Sequence, residues 1–161
     1  MADNALTLDP IGRIRADAEG FFLEIYPAYR AGLKGLEGFS HLNVLWWFGA
    51  CDTPASRACL EEAKPYRRGP ECLGVFATRS PRRPNPIAST PIYVQDLDIE
   101  EGLIRTPFID AEDLSPVLDI KPYHPSLDRV REASVPGWCR HWPLCYEDSG
   151  RFDWAAEFGD E

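Results

Sequence analysis

The sequence predicts a closed or nearly closed all-β fold with one or two short helices. Three observations point that way. Fifteen prolines and twelve glycines cut the 161 residues into short pieces. Sustained helical periodicity is scarce. Short β-prone runs recur at turn-rich spacing, which suits a sheet folded onto itself.

Taken in chain order, residues 11–14 predict an opening strand and residues 21–26 a second. Residues 41–48, from His41 to Phe48, are strongly β-prone and mostly apolar, so burial on both faces is expected. Asp52-Thr53-Pro54 offers an N-cap followed by proline in the first turn. A helix over 55–64 follows, ended by Pro65. Residues 73–78, 92–99, 103–109 and 117–120 predict further strands, with a turn at Glu100-Glu101-Gly102. A short helical turn is expected over 128–133. The acidic stretch 147–161 is expected to be a tail after one domain of residues 1–146, with Phe152, Trp154 and Phe158 as its anchors.

A chain of this length holds one real core. Apolar residues make up 44% and charged residues 27%, an ordinary globular balance. The longest apolar run, Val44 to Cys51, falls far short of the roughly 20 residues that span a bilayer. The start, Met1-Ala2-Asp3-Asn4, lacks the basic and apolar segments of a signal peptide. A soluble cytoplasmic protein away from membranes is expected.

The net charge of −9 speaks against a nucleic-acid partner, because phosphate contacts dominate such binding. Its distribution is uneven. Residues 64–83 hold Lys64, Arg67, Arg68, Arg79, Arg82 and Arg83 against Glu71 alone. A basic patch on an acidic protein and a set of solvated loop charges both fit that segment. Five cysteines, an odd number without a secretory leader, argue against a disulfide framework. Cys139, His141 and Cys145 lie close in sequence, but they lack a CxxC pair and match no common zinc spacing. Buried thiols in an apolar strand between Trp138 and Trp142 are the expectation there, and no metal is assigned.

Three segments carry chemistry. In Gly74 to Ser89 (GVFATRSPRRPNPIAS), three prolines within six residues fix φ and limit the freedom lost on folding. Arg79, Arg82, Arg83 and Asn85 project from that stretch, and guanidinium forks suit a carboxylate or phosphate. A rigid surface loop with incidental charges fits the same composition. In GLEGFSHL, His41 opens an apolar strand, as a proton acceptor or as a structural histidine. In Asp110 to Tyr123, carboxylates near a strand end suit ribose hydroxyls. Asp119 beside Lys121 suggests a structural pair.

Taken together and in this order, GLEGFSHL, GVFATRSPRRPNPIA and PVLDIKPY resemble the signature blocks of the TsaA/TrmO family. Ile11-Gly12-Arg13-Ile14 resembles that family's first strand, and the likeness extends from about residue 11 to 125. The resemblance implies a single-sheet β-barrel, a homodimer, and S-adenosylmethionine bound near the dimer interface. It implies methyl transfer to N6 of a threonylcarbamoyl-modified adenosine beside the tRNA anticodon. By position, Gly49, Ala50, Arg79, Ser89, Phe108, Ile109 and Asp110 match cofactor contacts. Arg82, Arg83 and Asn85 would meet the tRNA, and His41 would serve as the base. Three rival readings are a cofactor-binding dimer without tRNA activity, a methyltransferase for another small acceptor, and, third, a zinc-bearing interaction module built on Cys139, His141 and Cys145.

The chain departs from the family pattern in three places. The histidine usual after the apolar strand is absent at Gly49-Ala50. No Pro-Arg-Gln loop separates Ile14 from Phe21. The separate C-terminal domain of some relatives has no counterpart. The latter two departures bear on tRNA as substrate more than on the cofactor.

Overall fold

The computed structural model describes residues 6–158; Asp160 and Glu161 of the acidic stretch lie outside them. The chain divides into two compact units. The first runs through Thr53 and resumes over Asn85–Arg129, and the second comprises Pro54–Pro84 and the chain from Val130 onward.

In chain order the strands are β1 (Gly12–Asp17), β2 (Gly20–Ile25), β3 (His41–Trp47), β4 (Glu61–Ala63), β5 (Cys72–Gly74), β6 (Ile87–Tyr93), β7 (Asp96–Asp98), β8 (Leu103–Thr106) and β9 (Pro116–Pro122). Three four-residue helices join them: α1 (Pro54–Arg57), α2 (Pro125–Asp128) and α3 (Tyr146–Ser149).

Seven strands form one antiparallel sheet in the first unit, in the order β6-β3-β9-β1-β2-β8-β7. Period-2 alternation builds its core. Ile14, Leu23, Ile25, Leu42, Val44, Trp46, Ile92, Ile104 and Val117 point inward and are at most 3% exposed. Each such aliphatic side chain contributes about 1.5–3 kcal/mol on burial. Strand β3 is therefore buried on one face only, with His41, Asn43, Leu45 and Trp47 half-exposed on the other. Apolar residues outnumber polar ones in that strand, and this hides the alternation.

The sheet is not closed by hydrogen bonds, contrary to a hydrogen-bonded barrel. Its two edge strands, β6 and β7, are instead consecutive in the chain. Val94 donates to the Ser40 carbonyl and Gln95 to that of Arg105, at 2.8 Å each. Three Cα steps separate Tyr93 from Asp96, so these edge residues lie within about 11 Å of each other. Pro91 sits in β6, which has one unpaired edge and tolerates the missing N–H.

Elsewhere the sequence misleads over local segments. The helix expected over 55–64 stops at Arg57, and Glu61–Ala63 pairs with Cys72–Gly74 instead. Ten residues are too few for a self-standing helix, and pairing with β5 overrides propensity. Strand β5 ends at Gly74, after which Val75–Ala77 turns as a 3-10 helix. The 128–133 turn is displaced to α2, where Pro125 occupies the first turn. A 3-10 helix, Pro27–Leu33, buries Leu33 against the core; Pro27 is its sequence signal.

The second unit packs around aromatic rings. Tyr66 stacks on Trp138 at 5.2 Å and meets Trp142 edge-on at 5.0 Å. Trp154 contacts Trp142 and Phe152 at 5.3 and 4.9 Å. Phe158 bridges to Tyr66. Cys139 is buried in a 3-10 turn, whereas Cys145 is exposed, so the expected strand of buried thiols is not formed. His141 Nε2 lies 2.8 Å from Glu157 Oε1, and Trp142 Nε1 donates to Glu157 Oε2 at 3.2 Å. Among the described residues no three or more His, Cys, Asp or Glu side chains converge as metal ligands.

Candidate functional site

The antiparallel ladders bring several strand ends to one end of the sheet. Strands β1, β3 and β8 run toward that end and β2, β6 and β9 start from it, with a stagger: Pro116 at the start of β9 pairs with Arg13 near the start of β1, whereas Asp17 pairs with Gly20. Gly49 and Ala50 follow β3 in an exposed 3-10 turn. Phe48 donates to the Pro86 carbonyl at 2.9 Å, which seats the end of the proline-rich loop beside that turn. Asn85 is exposed and its carbonyl accepts from Ile87 at 2.7 Å. Ser89 lies on the exposed face of β6, opposite Leu45.

Phe108, Ile109 and Asp110 leave the same end after β8. Ile109 is 1% exposed and anchors in the core. Phe108 is 55% exposed, with its ring edge-on to Phe21 at 5.5 Å, while Asp110 is exposed. The Thr106 hydroxyl donates to the Phe108 carbonyl at 3.2 Å and fixes this turn. The result is an aromatic face, a carboxylate and an uncrowded backbone. Among the described residues, none but its own chain neighbours comes within 4 Å of the point a Cβ would occupy at Gly49.

His41 is not part of this grouping. It begins β3, six residues before Trp47, which is about 20 Å along a strand. Its ring packs edge-on to Tyr93 and Tyr123 at 5.4 and 6.2 Å, and Nδ1 is 2.9 Å from the Ser40 hydroxyl. A groove of about 410 Å³ lies at this opposite end, lined by residues 36–40 and 94–97. Sequence reading treated the three blocks as one constellation, but the direction of β3 places its two ends apart.

Asp119 is the structural partner anticipated from sequence. It lies 2.6 Å from Lys121 Nζ, and this pair raises the lysine's pKa.

Arg79, Arg82 and Arg83 belong to the second unit, and they differ in environment. Arg79 and Arg82 are exposed. Arg83 is half-buried and turned back on its own loop. Its Nη1 donates to the carbonyls of Thr78 and Ser80 at 3.3 and 3.2 Å, and its Nη2 to that of Val75 at 3.3 Å. Glu62, which the sequence did not single out, accepts from the Ser80 hydroxyl. It comes from a distant strand, so no local motif reveals it.

Known proteins share this chain's sequence and its fold. Residues 10–129 match the tRNA-methyltransferase O N-terminal domain. A "Probable S-adenosyl-L-methionine-binding protein" of Archaeoglobus fulgidus is 39% identical over 124 residues, covering 77% of this chain and 31% of that relative. One of Pyrococcus horikoshii with the same description is 37% identical over 132 residues, covering 82% of this chain and 93% of the relative. The crystal structure of TrmO from Pseudomonas aeruginosa superposes with a TM-score of 0.60 at 32% identity, covering 81% of this chain and 61% of that one. The chain thus spans about a third of the Archaeoglobus relative and under two thirds of the Pseudomonas protein. With the signature blocks, the single large sheet and three-quarters of the sequence in agreement, the chain belongs to the TsaA/TrmO family.

Proposed function

We propose that this chain binds S-adenosylmethionine at the end of the sheet bearing Gly49, Ala50, Ser89 and Phe108 to Asp110, and transfers its methyl group to N6 of a threonylcarbamoyl-modified tRNA adenosine. That these residue groups leave the same end of one sheet carries the proposal. Relatives named for S-adenosylmethionine binding support the cofactor, and the matching TrmO domain supports the tRNA acceptor.

The residues present suit such a nucleoside. The exposed Phe108 ring can cover a base or face a sulfonium, since an aromatic face attracts cations. Asp110 can accept from ribose hydroxyls or hold the ammonium. Arg79 would pair with the methionine carboxylate. When bound, S-adenosylmethionine supplies an electrophilic methyl carbon on sulfur. The protein's share is alignment and removal of one proton from N6, whose N–H the carbamoyl substituent acidifies. His41, the base candidate, stands at the other end of β3 from these residues, so it would serve this site only from a second chain. Arg82 and Asn85 are placed to meet tRNA, while Arg83 supports the loop. A homodimer follows the family pattern.

The absent Pro-Arg-Gln loop favours a second reading, a cofactor-binding protein without tRNA activity. Labelled S-adenosylmethionine offered with bulk tRNA, with and without the threonylcarbamoyl group, separates the two. Label in the modified tRNA alone is expected. Tight cofactor binding with no label in either tRNA would establish the second reading. By calorimetry, Arg79→Ala is expected to weaken cofactor binding at least about tenfold, or ~1.4 kcal/mol. Unchanged affinity in a folded variant would remove Arg79 from the site.

A further inference from the structure

Phe76 is 78% exposed, more than any other aromatic ring among the described residues. Tyr66, Trp138, Trp142, Phe152, Trp154 and Phe158 of the same unit pack on one another instead. A ring left in water forgoes most of the gain from burial. Singly exposed rings are common on protein surfaces, so exposure by itself says little. Two features of its surroundings set Phe76 apart.

The first is a main chain tied down on both sides of the ring. Val75 is fully buried, and its amide donates to the Leu60 carbonyl at 3.0 Å. The Val75 carbonyl accepts from the Thr78 amide at 3.2 Å, the Thr78 hydroxyl at 3.0 Å and Arg83 Nη2 at 3.3 Å. Arg83 Nη1 takes the carbonyls of Thr78 and Ser80, and the Ser80 hydroxyl is fastened to Glu62 on β4. All of these contacts lie within the second unit. The turn Val75–Ala77 thus presents a ring with two side-chain torsions from a fixed base, which lowers the ordering cost of binding.

The second is charge. Residues 54–84 hold seven Lys or Arg against three Asp or Glu. The bonds from Arg83 also occupy loop carbonyls that would otherwise repel a phosphate. Single-stranded nucleic acid is held by this pairing of chemistries, with cations on the backbone and an exposed ring on the face of a base. A protein partner could cover the ring, but an apolar one would leave the surrounding cations unanswered.

We infer that Phe76 is a stacking platform for an unpaired base of RNA. This rests on the reading of tRNA as the acceptor, and adds to it a residue that tells unpaired RNA from paired. The platform belongs to the second unit alone.

Fluorescence anisotropy on the full chain, with S-adenosylmethionine present, tests it with two probes: an unmodified anticodon stem-loop and a fully paired RNA duplex of equal length. The wild-type chain should prefer the stem-loop. Phe76→Ala should lower stem-loop affinity about tenfold, within the range for one stacked base, and leave duplex affinity and the salt slope unchanged. Phe76→Trp keeps a stacking ring and should retain or raise stem-loop affinity. Phe76→Leu is apolar without a π-face and should resemble the alanine variant. Wild-type protein that binds neither RNA would sink the tRNA reading and the platform together. If the wild-type chain binds the stem-loop and folded Phe76→Ala or Phe76→Leu binds it equally well, the platform alone fails, and the ring is left for a protein partner. No wild-type preference for the stem-loop, or an equal loss for both probes in Phe76→Ala, would overturn it too.

Discussion

Single residues set tight limits in this fold. Gly12 begins β1 directly opposite Ile25, where an added Cβ would overlap the Glu24 carbonyl and stand 3.0 Å from Ile25 Cα. The obstacle is main chain, which cannot rotate away. Gly12→Ala is therefore expected to destabilise the first unit by about 1–3 kcal/mol, the usual cost of overpacking, measured as a lower urea midpoint at unchanged slope. Beside it, Arg13 Nε bonds Glu24 Oε2 at 2.8 Å, and this pair lowers the Glu24 pKa and raises that of Arg13. Both side chains are part-exposed, so water screens the pair and it adds little to stability. The Asp119–Lys121 pair was legible because both residues sit in one local run. Glu62 was not, since its bond to Ser80 depends on a hairpin that brings the two together across eighteen residues.

Among the elements, the C-terminal segment shows how side-chain chemistry replaces a sheet. Helix α3 and the 3-10 turn Trp154–Ala156 are single turns, too short to stand alone. They are held by rings and by Glu157, whose side chain is 7% exposed. Hydrogen bonds from His141 and then Trp142 hold the Glu157 carboxyl below the usual carboxylate range. The unfolded chain therefore takes up this proton at a higher pH than the folded one. Its contribution to stability is complete above the ordinary glutamate pKa and disappears as the pH falls through the lowered folded value. Tryptophan fluorescence of this unit is expected to report acid loosening below about pH 4.5, and Glu157→Gln should shrink that acid dependence. Phe152, Trp154 and Phe158 were legible as anchors because large apolar rings in an acidic stretch need cover. The helix over 55–64 was misread because its residues suit a helix locally, while the strand that captures three of them lies beyond a turn at Lys64, where φ is +45°.

For the molecule as a whole, sign and direction matter most. The first unit carries seven Lys or Arg against sixteen Asp or Glu, whereas residues 54–84 hold seven against three. The acidity that argues against tRNA thus resides in the first unit and in residues 130–161, which hold three against seven, and the arginine loop lies in the segment with the opposite balance. The ends of β3 separate two signature blocks, so His41→Ala is expected to leave cofactor affinity within about twofold of wild type by calorimetry, in contrast to Arg79→Ala. A large loss would mean that a second chain brings its His41 to the cofactor. The sheet character was readable from turn spacing and alternation. The strand number was not: the sequence predicts seven strands, whereas nine are present among the described residues, with Glu61–Ala63 unforeseen and β6 and β7 merged into one run over 92–99. Whether the two edges join was not readable either, because it depends on where one strand goes after it bends. Residues 87–98 run from one edge strand of the sheet to the other, and Val94 and Gln95 bond to a different flank each. Extra residues spliced in there would lengthen the tether between the two edges, whereas the same residues added at the 99–102 turn would only lengthen a hairpin tip.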